Sequence, residues 1–131
     1  MNRNHKGFTL IELILVISIL GILAVAALPK FLDVTTNART AAVRGVEGAV
    51  RAGLQVYYAN NLANGGAGAY PAAGGLDGAA VDGVCSSTNV CFDEVLTNGI
   101  TDGNWTKAGD VYSTSGHACT YVPASGTFNC T

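Results

Sequence analysis

The chain has 131 residues, the length of one small domain, which excludes a multidomain enzyme. Charged residues are 12% of it, about half the usual quarter, and its 17 glycines are nearly double the typical share, so most of the water-soluble part should be loop-rich. A formal charge of -2, from nine acidic residues against seven Lys and Arg, excludes the broad basic footprint of a nucleic-acid binder.

The first predicted element is apolar. Residues 8–28 are interrupted only by Thr9, Glu12, Ser18 and Gly21. As a helix at about 1.5 Å per residue this stretch measures roughly 31 Å, the hydrocarbon thickness of a bilayer. Arg3, His5 and Lys6 precede it, and positive flanks stay on the cytoplasmic side, so the rest of the chain is expected to face outward. An ordinary secretory signal peptide would account for the apolar run, and Ala24-Val25-Ala26 offers it a cleavage pattern. It leaves Glu12 unexplained, because a carboxylate at that depth costs on the order of 1 to 3 kcal/mol of insertion free energy.

The motif Lys6-Gly7-Phe8-Thr9-Leu10-Ile11-Glu12 followed by an apolar run resembles the class III signal of type IV pilins and type II secretion pseudopilins. The resemblance extends through Gly21 to Val25 and Pro29 to Leu32 as far as about Ala49, where it is most similar to pilins of the mannose-sensitive haemagglutinin type. It implies that a dedicated prepilin peptidase cuts between Gly7 and Phe8 and methylates the new amine of Phe8. The physics is compatible. Phe8 and Glu12 are four residues apart on one helical face, and an ammonium and a carboxylate in apolar surroundings must neutralise each other, within a chain or between neighbours. Helices bundled at staggered heights could pair Glu12 of one with the Phe8 amine of another, making the charge a register device.

Beyond the membrane stretch the helix should continue over residues 29–62. Pro29 removes a donor and clashes with the carbonyl of Val25, so a kink or local melt is expected there, with Gly21 weakening the same span. Val43, Val46, Val50, Leu54 and Tyr57 then form an amphipathic stripe, and Glu47 and Arg51 a favourable i, i+4 pair on a solvated or inter-subunit face. Gly45, Gly48 and Gly53 either admit another backbone or are simply tolerated.

Residues 63–131 read as a globular head. Seven glycines among residues 64–83 predict a loop. Strand-like runs follow at 90–92, 105–108, 111–114, 118–122 and 127–130, separated by turn chemistry. A four-residue loop 123–126 would set Cys119 opposite Cys130, within disulfide range, leaving Cys85 to Cys91. Four cysteines allow three connectivities, and this is the one expected. Cysteine spacings of six and eleven do not suit metal ligation, and Asp102-x-Asn104-x-Thr106 departs from a calcium loop at its sixth and twelfth positions. His117 has no nucleophile constellation, and Trp105 reads as a core anchor.

The expected fold class is therefore α+β: a long N-terminal helix whose first half spans the membrane and whose second half packs on a small antiparallel sheet. The expected divisions are a leader 1–7, a transmembrane or filament-core helix 8–28, its amphipathic continuation 29–62 and the head 63–131. By resemblance the chain is a type IV pilin precursor, a structural subunit and not an enzyme, with no cofactor and no metal. Its partners would be copies of itself, the prepilin peptidase, the pilus assembly machinery and the inner membrane before assembly, with no direct nucleic-acid binding. It would end in a surface pilus used in attachment, adhesion or motility. The alternatives are a type II secretion pseudopilin, which shares the N-terminal residues, and a minor ligand-binding pilin acting in adhesion or DNA uptake. Lys107 as the only Lys or Arg beyond residue 51 disfavours DNA.

Overall fold

A computed structural model describes residues 7–78 and 80–131; the leader positions Arg3, His5 and Lys6 lie outside the described residues. The chain divides into two compact units, residues 1–38 and Arg39–Thr131. One helix, α1 (Leu10–Ala63), contributes to both.

In the first unit α1 runs through Pro29 without a break, so the local melt expected there does not occur. Its hydroxyls bond back to its own carbonyls: Ser18 Oγ donates to Ile14 O at 2.8 Å, and Thr35 and Thr36 to Leu32 O. Such back-bonding lets a polar side chain sit on an apolar helix without an unmet donor.

The second unit joins the remainder of α1 to five antiparallel strands paired in chain order: β1 (Gly83–Val84), β2 (Thr106–Ala108), β3 (Val111–Thr114), β4 (His117–Val122) and β5 (Thr127–Cys130). The strands alternate as a one-sided sheet should, with Lys107, Tyr112, Thr114, Cys119, Tyr121 and Phe128 buried. Against them α1 buries Val43, Val50 and Leu54, with Val46 partly covered, which is most of the amphipathic stripe. Phe92 fills the centre, edge-on to Trp105 at 5.9 Å and to Phe128 at 5.6 Å and tilted against Tyr112 at 4.2 Å. Disulfides join Cys85 to Cys91 and Cys119 to Cys130.

Residues 90–92 are not a strand. Cys91 makes a single bridge to Ile100, and Phe92 has φ of 62°, a left-handed conformation that ends extended structure while turning its ring into the core. The two-residue β1, too short to show any periodicity, begins at the last residue of the predicted loop. That loop is held down by polar side chains. Gly74 N donates to Asp110 Oδ1 at 2.7 Å, Gly78 N to Asp93 Oδ1 at 2.6 Å, and the Tyr121 hydroxyl to Pro71 O at 2.7 Å. Tyr70 lies against Gly126, where a Cβ would stand 2.3 Å from its ring.

Candidate processing and assembly site at the helix start

Thr9 and Glu12 close the first turn of α1 on each other. The Thr9 amide donates to Glu12 Oε2 at 3.1 Å, the Thr9 hydroxyl to the same oxygen at 3.0 Å, and the Glu12 amide to Thr9 Oγ1 at 3.3 Å. This is a capping box, with Thr9 as N-cap and Glu12 as third helical residue. It satisfies donors that a helix start otherwise leaves open. The T-x-x-E spacing was present in the sequence and is the signal by which Thr9 could have been found.

Just outside the box, Phe8 is 88% exposed and an added Cβ on Gly7 would meet nothing within 4 Å. Among the described residues nothing covers the bond between them. Downstream, the large apolar side chains of Leu10 through Leu28 are exposed, and α1 is long and apolar enough to cross a membrane. Gly21 is likewise open. A contiguous apolar surface of this size marks a membrane or protein interface. The site is therefore a single carboxylate, folded into its own helix cap, at the start of an uncovered apolar helix.

The head is arranged differently. Its buried charges form a closed set: Lys107 Nζ lies 3.4 Å from Asp77 Oδ2 and donates to Ala80 O at 3.1 Å, while the Phe92 amide and the Tyr112 hydroxyl donate to the two oxygens of Asp77. Burial, with Asp77 beside it, raises the Tyr112 hydroxyl far above its ordinary range. Burial, with Asp110 nearby, pushes Tyr121 up to about 12. Each of these groups has a partner, and together they tie the loop around Pro71 and Asp77 to the sheet. Asp102 Oδ1 accepts from the Asn104 amide in a turn, Trp105 is buried, and His117 bridges Thr40 Oγ1 and Thr131 O.

The N-terminal segment, residues 2–28, matches the family described as Prokaryotic N-terminal methylation motif. The motif and the uncovered helix behind it define a prepilin-class chain. Its relatives are major pilins: it is 34% identical over 103 residues to the type IV major pilin protein PilE1 of Neisseria gonorrhoeae, covering 76% of this chain and 48% of that one. It is 49% identical over 51 residues to the type IV narrow pilus major component PilA5 of Thermus thermophilus, 39% of this chain and 44% of that one. It is 46% identical over 65 residues to the type IV major fimbrial protein FimA of Dichelobacter nodosus, 50% of this chain and 38% of that one. The chain belongs to the type IV pilin family. The matched region spans about half or less of the length of these relatives. No solved structure matches the chain.

Proposed function

We propose that this chain is the precursor of a pilus subunit, cut between Gly7 and Phe8, methylated at Phe8, and polymerised through α1 into a surface filament serving attachment, adhesion or motility. The observation that carries this reading is the exposed apolar run of residues 8–28, headed by one carboxylate in the first helical turn. Before assembly the inner membrane covers the run, with the head outward. After assembly the same run of neighbouring copies covers it, driven by apolar burial at about 25 cal/mol per Å². Gly21 and Pro29 weaken the helix between these two environments and are where it would kink or adjust on transfer. The protein acts as a structural element, and its partners besides its own copies are the peptidase and the assembly machinery.

Glu12 supplies the register. In the capping box its Oε2 accepts from Thr9, and the charge remains available to the Phe8 amine of a neighbour. Glu12→Gln keeps an oxygen for Thr9 but removes the charge, which separates the two duties. Expected are cleaved subunits accumulating in the membrane fraction with few or no surface filaments, read by immunoblot and by filament counts. Normal filament numbers in the Gln strain would refute the pairing role.

A further inference from the structure

Two ion pairs lie among the described residues, and they differ in their surroundings. Glu47 and Arg51 meet at 2.7 Å on α1 and bind the edge of β5, where Arg51 Nε donates to Phe128 O and Glu47 Oε1 accepts from the Cys130 amide. The Arg51 side chain is still 52% exposed. Asp77 and Lys107 are sealed, their side chains 0% and 6% exposed. A pair this dry has given up the hydration of both charges, and mutual attraction often does not repay that. Lys107 enters the core because β2 turns it inward between the exposed Thr106 and Ala108, and Asp77 follows the buried Leu76. The Lys107 ammonium donates to Ala80 O at 3.1 Å, which sets Nζ 3.4 Å from Asp77 Oδ2. The carboxylate is gripped at both oxygens, Oδ1 by the Phe92 amide and Oδ2 by the Tyr112 hydroxyl. Both donors belong to fully buried residues, tilted against each other at 4.2 Å.

We propose that Asp77 and Lys107 are the two halves of an intramolecular amide cross-link, formed after folding with the loss of one water. The atoms already present suffice. One proton of the Lys107 ammonium passes to Asp77 Oδ2, and the freed lone pair on Nζ attacks Cγ to form the new carbon-nitrogen bond. Negative charge then grows on Oδ1, at which the Phe92 amide is already aimed. A second nitrogen proton reaches Oδ2, the bond from Cγ to Oδ2 breaks, and the carbonyl re-forms at Oδ1 as water leaves. The Tyr112 hydroxyl, in contact with the departing oxygen, is the general acid: it gives its proton to Oδ2 and regains the one that the nitrogen sheds. Of three ammonium protons, one stays on the amide and two leave in the water. The opposite charges cancel, and nothing is oxidised or reduced. Holding the two groups in contact supplies an effective concentration on the order of 10⁵ M or more, and one neutral amide replaces two buried charges. The amide of Gly78 could compete for the same carbon to give a cyclic imide, but it is donated to Asp93 Oδ1 at 2.6 Å. The cross-link belongs to the head alone and does not depend on assembly through the apolar helix.

In the test the full chain is purified unfolded, refolded into detergent micelles and followed by intact mass, with a peptide map at Asp77 and Lys107. Expected is a loss of one water relative to the sequence with both disulfides formed, and a branched peptide in which Lys107 is joined to Asp77. Lys107→Arg keeps a cation for Asp77 without the amine and should stay at full mass. Tyr112→Phe, which keeps the ring, should form the bond about a hundredfold more slowly. A wild-type chain that regains both disulfides and its folded Trp105 emission yet stays at full mass would overturn the proposal. So would a water lost without a branched peptide, which is the imide at Gly78 and would persist in Lys107→Arg. Bond formation at the wild-type rate in Tyr112→Phe would overturn the acid role of that hydroxyl. The wild-type chain gives the deciding result by itself, so a variant that fails to fold does not leave the question open.

Discussion

A methyl group at Gly53 would sit 2.0 Å from the Val95 carbonyl oxygen, whereas one at Gly48 would meet nothing within 4 Å. The first glycine lets the 92–96 turn lie directly on α1, and the second faces open space. Gly53→Ala should therefore destabilise the head by about 1 to 3 kcal/mol through overpacking. Gly48→Ala should be neutral or gain up to about 1 kcal/mol of helix propensity. Urea unfolding followed by Trp105 emission checks both, and equal effects would contradict the close approach. The sequence could not separate the two, because each is a glycine in the same helical pattern and only the partner backbone tells them apart. Thr9 was more accessible. Its role follows from a local four-residue spacing, and Thr9→Ala should cost about 1 kcal/mol at the helix start, seen as faster amide exchange at Glu12.

The β4 and β5 hairpin was legible residue by residue, since a four-residue turn fixes every pair from Val122 with Thr127 to Cys119 with Cys130. Removing that disulfide as Cys119→Ser/Cys130→Ser should cost about 2 to 3 kcal/mol by loop entropy, measured as a lower urea midpoint. Residues 90–92 misled because β-branched and aromatic composition signals burial as well as strand. Phe92 is buried, but its amide is spent on Asp77. The Asp77 and Lys107 pairing was illegible, being a contact across 30 residues between a loop and a strand. Asp77→Ala leaves the Lys107 ammonium buried without its counter-charge and should cost about 3 to 5 kcal/mol in the same urea assay. Tyr112 and Tyr121 add an alkaline limit. Both are raised on folding, so their contribution is full below the ordinary tyrosine value near 10.0 and falls away as pH rises through the folded value, about 12 for Tyr121 and higher for Tyr112. Absorbance at the tyrosinate band should therefore appear in part only as Trp105 emission reports unfolding. Complete ionisation near pH ~10 in a folded head would contradict this.

The whole chain places opposite demands on its two units. Residues 39–131 bury Phe92, Trp105, Tyr112, Tyr121 and Phe128, while residues 8–28 leave every large apolar side chain uncovered. That contrast was legible early, because a long apolar run and a basic leader need no tertiary information. A helix that costs so much in water requires a lipid or protein cover, and in the proposed assembly the carboxylate at its start meets a cationic partner. Cleavage after Gly7 would create that cation at Phe8. The central claim is therefore tested most directly by the intact mass and N-terminal sequence of the subunit in sheared surface filaments. Expected is a chain of 124 residues, seven fewer than the 131 of the precursor, beginning at N-methylated Phe8 with both disulfides intact. A secreted chain beginning at Ala27, with the apolar helix removed, would contradict the account.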